Sequence, residues 1–200
     1  MPRINPEYRR DAKRKIIDAA IEVASEKGVT AVTLEDIAQR VGVTKGALYA
    51  YFESREVLFR EMTLEVFTRV RSELEKAFRE SGDGPETFSR ITDLVYGDLK
   101  RYTNIFIQMV TTVPQDPELQ KIYSTTFDRN VTFIGGHISR MQKKGMIPVE
   151  VSPEETARAI LALAIGLRIT ELHLKKDPEQ LKRIWLDSVS RLLSLKEDVA

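Results

Sequence analysis

Apolar positions recur every three or four residues along nearly the whole chain, and no run of period-two alternation interrupts them. That spacing predicts an all-α fold. Between residues 10 and 27, Ala12, Ile16, Ala20, Val23 and Ala24 share one face, and Gly28 follows as a C-terminal stop. Thr33, with the acid Asp36 three residues on, reads as a cap opening a short helix that reaches Val41 and breaks at Gly42. Thr44 opens another short helix to about Tyr51, and Ser54 a long one from Arg55 to Ser81. Beyond the breaker run Ser81-Gly82-Asp83-Gly84-Pro85 the pattern predicts one helix over Glu86–Tyr102 and a shorter one over Asn104–Val113. Three later starts are alike: Asp116-Pro117, Ser152-Pro153 and Asp177-Pro178 each set a capping residue before a proline at the first helical position. Acids follow in each first turn, where the helix dipole favours them, and Glu155 and Gln180 hold the capping-box position. The sum is about nine helices without internal repeats. They divide into an N-terminal three-helix domain, residues 1–53, and a C-terminal helical domain, residues 54–200.

The informative stretch is residues 33–52, TLEDIAQRVGVTKGALYAYF. Two short helices joined by a glycine turn make a helix-turn-helix. Ile37, Val41, Val43 and Leu48 are spaced to face one small core, Ala38 is small where the helices cross, and Gly42 suits the left-handed turn. The second helix then offers Thr44, Lys45, Gly46 and Ala47 at its N-terminus, where a recognition helix reads base edges. The Tyr49 and Tyr51 hydroxyls, Arg55 at the next helix start and Thr33 at the previous one are of the types that hold phosphate. Charge changes the picture only locally. The whole chain carries +1, so no global field announces nucleic acid. Residues 1–15, however, hold Arg3, Arg9, Arg10, Lys13, Arg14 and Lys15 against Glu7 and Asp11, a net +4 that would add salt-dependent affinity for DNA. Pattern and charge alone also fit an ordinary helical hairpin with solvated Lys45 and Tyr49.

Residues 14–62 resemble the DNA-binding region of the tetracycline-repressor (TetR) family of bacterial and archaeal transcription regulators. The matching pieces are Ile17, Ala20, Glu26-Lys27-Gly28, Thr33, Ile37-Ala38, Gly42 to Gly46, Leu48-Tyr49, Phe52 and Ser54 to Leu58. Tyr51 stands where a histidine is common and Arg55 where a lysine is usual; both keep a phosphate-capable donor. The resemblance implies that Lys45, Gly46 and Ala47 face bases, and that Thr33, Tyr49, Tyr51 and Arg55 grip the backbone.

In the C-terminal domain, residues 157–174 are apolar nearly all round, with Ala159, Ala162 and Gly166 small enough for close helix approach. The last helix repeats Leu181, Trp185, Ser188, Leu192 and Leu195 as one seam, with Ile184, Val189 and Leu193 as a second stripe. Two readings remain open: a four-helix interface between two copies, which the family resemblance also implies, or a thicker core within one chain. The resemblance further implies a small-molecule pocket here. Phe67, Phe88, Tyr96, Tyr102, Phe106, Met109, Tyr123, Phe127 and Phe133 are candidate liners, each with ordinary core as the competing reading. His137 and His173 read as core or surface residues, with effector or metal contact as the alternative. Gly135-Gly136 inside a long helix marks a kink or a tight crossing.

The function classes narrow accordingly. The chain has no cysteine, so thiol nucleophiles, disulfide frameworks and cysteine zinc sites are excluded. Its longest apolar run, Ala159 to Leu167, has nine residues, under half a membrane span. The basic, polar N-terminus predicts no secretory signal and a cytoplasmic protein. No metal motif, phosphate-binding glycine loop or Ser-His-Asp set is visible, so no cofactor is expected and enzymatic function is disfavoured. The expectation is a ligand-responsive repressor: a homodimer on a palindromic double-stranded DNA operator, released by an apolar or aromatic small-molecule effector. The alternative is an effector-independent DNA-binding protein, activating or architectural.

Overall fold

Helix starts in the computed structural model, which describes residues 6–82, 84, 86–110 and 116–195, fall at the capping residues. Arg3 of the basic arm and positions 111–113 of the helix expected after Asn104 lie outside the described residues. Helix α1 spans Pro6–Lys27 and is followed by a 3-10 turn over Val29–Ala31. Helix α2, Leu34–Val41, opens on a reciprocal box: the Thr33 hydroxyl accepts from the Asp36 N–H, and the Asp36 carboxylate accepts from the Thr33 N–H. Gly42 ends α2 at φ +80°, a conformation a residue with Cβ resists. Helix α3, Lys45–Leu48, begins where Thr44 Oγ1 accepts from the Ala47 N–H at 3.3 Å. Ser54 caps α4, Arg55–Ser81, in the same way. Asp116 and Asp177 cap α7, Pro117–Lys143, and α9, Pro178–Leu192. Ser152 makes no such bond at the start of α8, Pro153–Leu174, which begins on its proline and the acids Glu154 and Glu155.

The predicted helix over 86–102 is two helices. Helix α5 covers Glu86–Tyr96 and α6 covers Lys100–Val110, so the shorter helix expected from Asn104 is the continuation of α6. The break serves burial. Leu99, 1% exposed, turns into the N-terminal core, whereas Phe88 of α5 packs into the C-terminal one. Eleven residues apart, the two would share one face of a straight helix; the break lets them enter different cores. Gly97 stands at the break, where a Cβ would meet the Asp93 carbonyl oxygen at 2.6 Å.

Two cores result. In the first, Ile16 and Ala20 of α1, Ile37 of α2 and Leu48 of α3 meet Leu58 and Met62 of α4 and Ile105 of α6. The three-helix head is therefore completed by helices that continue into the C-terminal part. Val43 is the exception to the predicted core set: it is 40% exposed, because the turn after Gly42 points it outward. The second core joins α5, α7, α8 and α9 around Ile138, Ile160, Trp185 and Leu193. There the two readings of the last helix separate. Leu181 and Trp185, expected on a face between chains, are 4% and 5% exposed within this one, and the Trp185 indole N–H donates to Thr92 Oγ1 at 2.8 Å. Gly135 serves a tight crossing: its Cβ position is 3.4 Å from the Pro153 carbonyl oxygen, where α8 starts against α7.

The α2 box has a testable signature. Asp36 is held down from the ordinary 3.8 to about 2, first by the hydrogen bond from Lys27 at 2.6 Å, then by the Thr33 hydroxyl and N–H. The folded chain thus binds this proton more weakly than the unfolded one. The stabilisation is complete above 3.8 and is lost as the pH falls through about 2. Carboxyl NMR titration is expected to place Asp36 near 2, and Asp36→Asn to flatten that part of the acid-unfolding profile. An ordinary titration of Asp36 overturns this.

Candidate functional site

The short α3 presents its first turn outward because only Leu48 is drawn inside, at 1% exposure. Thr44, Lys45 and Gly46 are exposed and Ala47 is half-buried. A Cβ on Gly46 would meet nothing nearer than Thr44 Oγ1 at 3.9 Å, so the backbone there is bare to the outside. Lys45 rests on Glu35 of α2 at 2.6 Å. Such an exposed pair is screened by solvent and exchanges readily for another anion. Tyr49 is 50% exposed, whereas Tyr51 is half-buried against the N-terminal core.

Two predicted phosphate contacts are already engaged within the chain. Thr33 gives both its hydroxyl and its N–H to the Asp36 box. Arg55 donates to the Val32 carbonyl at 3.2 Å and lies over the Phe59 ring at 4.3 Å, tying the start of α4 to the start of α2. Of the basic arm, Arg9 donates to the Ala50 carbonyl and Lys13 pairs with Glu61, while Arg10 and Lys15 are exposed.

Among the aromatics, the structure brings four candidates together. Phe67 of α4, Phe106 of α6 and Tyr123 and Phe127 of α7 border a cavity of about 440 Å³. The Phe67 ring meets Tyr123 edge-on at 5.1 Å and Phe106 at 5.6 Å. The other candidates lie elsewhere. Met109, 2% exposed, sits in the N-terminal core with its sulfur accepting from Thr63 Oγ1 at 3.4 Å, because α6 turns that face towards α4. Tyr102 joins the same core, and Phe88 the C-terminal one. Phe133 packs on Phe78 beside the buried, ring-stacked His137, and His173 is exposed. Tyr96 does not border the cavity, but its ring faces Arg168, which does, at 5.5 Å. Burial pushes the Tyr96 and Tyr123 hydroxyls above the ordinary 10.0, with Arg168 opposing the shift at Tyr96.

Arg168 is the residue sequence reasoning passed over. It is 2% exposed, borders the cavity and donates to Glu171 on its own helix and to Asn104 of α6. A signal existed: a cation inside a helix that is apolar all round must be buried, and a buried cation needs partners. Helix α6 also reaches the head. Thr103, Phe106 and Ile107 border the cavity, and the next residue, Gln108, accepts from the Val29 N–H at 2.8 Å. Arg60 of α4 and Asp116 at the start of α7 add a two-bond bridge at 3.2 Å.

Among the described residues no helix is long and apolar enough to cross a membrane. Residues 16–62 match the family model for bacterial regulatory proteins, tetR family. The HTH-type transcriptional regulator YvdT of Bacillus subtilis is 24% identical over 153 residues, which are 74% of this chain and 76% of that protein. The biofilm operon icaADBC negative transcriptional regulator IcaR of Staphylococcus epidermidis is 25% identical over 127 residues, 60% of this chain and 68% of that one. A transcriptional regulator of Saccharomonospora viridis, solved in complex with choline, superposes with a TM-score of 0.81 at 22% identity, covering 90% of this chain and 96% of its own.

Proposed function

We infer that this chain, whose residues 16–62 match the model for bacterial regulatory proteins of the tetR family, acts as a ligand-released repressor that reads a palindromic operator as a homodimer in the cytoplasm. The observation that carries the reading is the bare first turn of α3, Thr44 to Ala47, held outward on a head whose core is shared with α4 and α6. Lys45, Gly46 and Ala47 would face bases from the major groove, with Tyr49 and Arg55 on the backbone. The partly buried Tyr51 and the occupied Thr33 would contribute less. IcaR, one of the similar proteins, is a negative regulator, which favours repression over activation.

Dimer formation is supported by outward apolar positions on the last two helices. On α8 these are Ala162, Gly166 and Ile169, the last 38% exposed. On α9 they are Ile184 and Leu192, 41% and 36% exposed, with Ser188 between them. The half-buried Ala159 lies one turn before Ala162. Two heads on a two-fold axis would meet half-sites a helical turn, ~34 Å, or a multiple of it apart. Release is supported by α6, which carries three cavity-wall residues and the Gln108 bond to Val29. A molecule that shifts α6 or α4 would move the head and spoil the spacing of the pair. A hundredfold loss of DNA affinity needs about 2.7 kcal/mol of coupling, within the usual allosteric range.

Selection from random duplex DNA at near-physiological salt is the test, with a palindrome as the expected product. Lys45→Ala is then expected to select different bases. Arg55→Ala should weaken all sequences about equally and lower the salt slope by roughly one. Its bond to the Val32 carbonyl adds a small stability loss that melting separates. Salt-sensitive retention without sequence enrichment overturns the operator reading, and identical behaviour of the two variants overturns the division of roles.

A further inference from the structure

Three buried side-chain polar atoms lack a hydrogen-bond partner among the described residues: Tyr96 Oη, Tyr123 Oη and Arg168 Nε. All three belong to one place. Tyr123 and Arg168 border the cavity, and the Tyr96 ring lies against the Arg168 guanidinium. Unpaired buried donors are costly, and native chains leave few of them without a reason.

The charges there do not cancel. Arg168 is always protonated and points one amino group at Glu171 and the other at Asn104. The remaining carboxylate oxygen of Glu171, itself buried, is taken by Lys100 at 3.1 Å. Two cations thus share one anion. Among the described residues, Arg168 is the one charged residue on the cavity wall, whose remainder is mainly Phe, Leu, Ile and Val. Resting on the effector reading above, we propose that the cavity takes a small molecule with an apolar body and one anionic, oxygen-bearing end, a carboxylate being the simplest, which pairs with the Arg168 guanidinium. Tyr123 borders the same wall, and its buried hydroxyl is also unpaired among the described residues. A carboxylate brings about four acceptor sites and a compensating charge, whereas a quaternary ammonium brings neither. The cavity, about 440 Å³, lies at the small end of the ~300–1,000 Å³ range of ligand pockets, so the body is compact or a single medium chain.

Calorimetric titration of the full chain with decanoate, decanol and decyltrimethylammonium, each below its micellar concentration, tests this on the unmodified protein. Decanoate is expected to bind about tenfold or more tighter than the other two, the scale of a charge-assisted hydrogen bond. Lys100→Ala, an exposed change that leaves the site neutral, should weaken decanoate a few-fold and leave decanol unchanged. Arg168→Met with Glu171→Gln removes the pair together, so no lone buried charge remains, and should bring decanoate down to the level of decanol. Should that double variant fail to fold, the unmodified protein and Lys100→Ala still decide. Equal binding of the three probes, or preference for the ammonium, overturns the anionic class while leaving the cavity as an effector site. Binding of none of them overturns the effector reading as well.

Discussion

Trp185→Ala is expected to cost about 3–5 kcal/mol of unfolding free energy, the range for removing a large aromatic from a packed core. For a chain of this size that lowers the melting temperature by roughly 6–20 °C. The indole is 5% exposed, packs among α5, α7, α8 and α9 residues and donates to Thr92 Oγ1, whose own hydroxyl donates to the Phe88 carbonyl. Trp185→Phe keeps most of the apolar volume and loses the indole bond and part of the ring, for a smaller cost of about 1–2 kcal/mol. Denaturant unfolding followed by circular dichroism measures both. Trp185 is the only tryptophan, so the variants have no indole signal to follow. The two readings of the last helix predict opposite patterns. A side chain buried within one chain changes unfolding and leaves chain association near normal. A side chain buried between chains changes the dimer dissociation constant first. An Ala variant that stays stable but dissociates on dilution overturns the core assignment.

Local rules and long-range packing divide what the sequence made legible. Caps were readable because each is settled within four residues: Thr33 with Asp36, Thr44 with Ala47, Ser54 with Val57. The first turn of α3 was readable for the same reason, and so was Gly42. The α5–α6 break was not, because the side chains that impose it go to different cores: Leu99 is claimed by helices α1 to α4, Phe88 by α7 to α9. A periodic pattern records that a face is apolar and not which neighbour covers it. The same ambiguity put Leu181 and Trp185 on an outer seam and Met109 in the cavity. It was resolved the other way at Phe67, Phe106, Tyr123 and Phe127, which do share a wall. Arg168 shows a different failure. It follows the apolar run Ala159 to Leu167 directly, and a cation there is the sign of a buried polar site, with Asn104 and Glu171 around it.

Gly46→Leu is expected to abolish operator recognition while leaving the head folded, with about a hundredfold or greater loss of affinity, roughly 2.7 kcal/mol. Position 46 has no partner inside the chain to lose. A side chain built there enters open space, with only Thr44 Oγ1 at 3.9 Å. A non-glycine residue also suits a helix better, so Gly46→Ala should melt no lower than the parent and gain up to about 1 kcal/mol. Whatever keeps glycine useful at this position must therefore lie outside the fold. In the proposed complex it is the DNA itself, approached by the backbone between Lys45 and Ala47. An added leucine would hold the helix off the base edges by the width of a side chain. No phosphate contact is removed, so the salt slope of the residual binding should stay near that of the parent, unlike Arg55→Ala. Anisotropy titration on the selected palindrome, with melting curves beside it, separates the two outcomes. A Leu variant that melts normally and fails to bind supports close approach by α3. One that melts normally and binds in full means that the reading face lies elsewhere on the head.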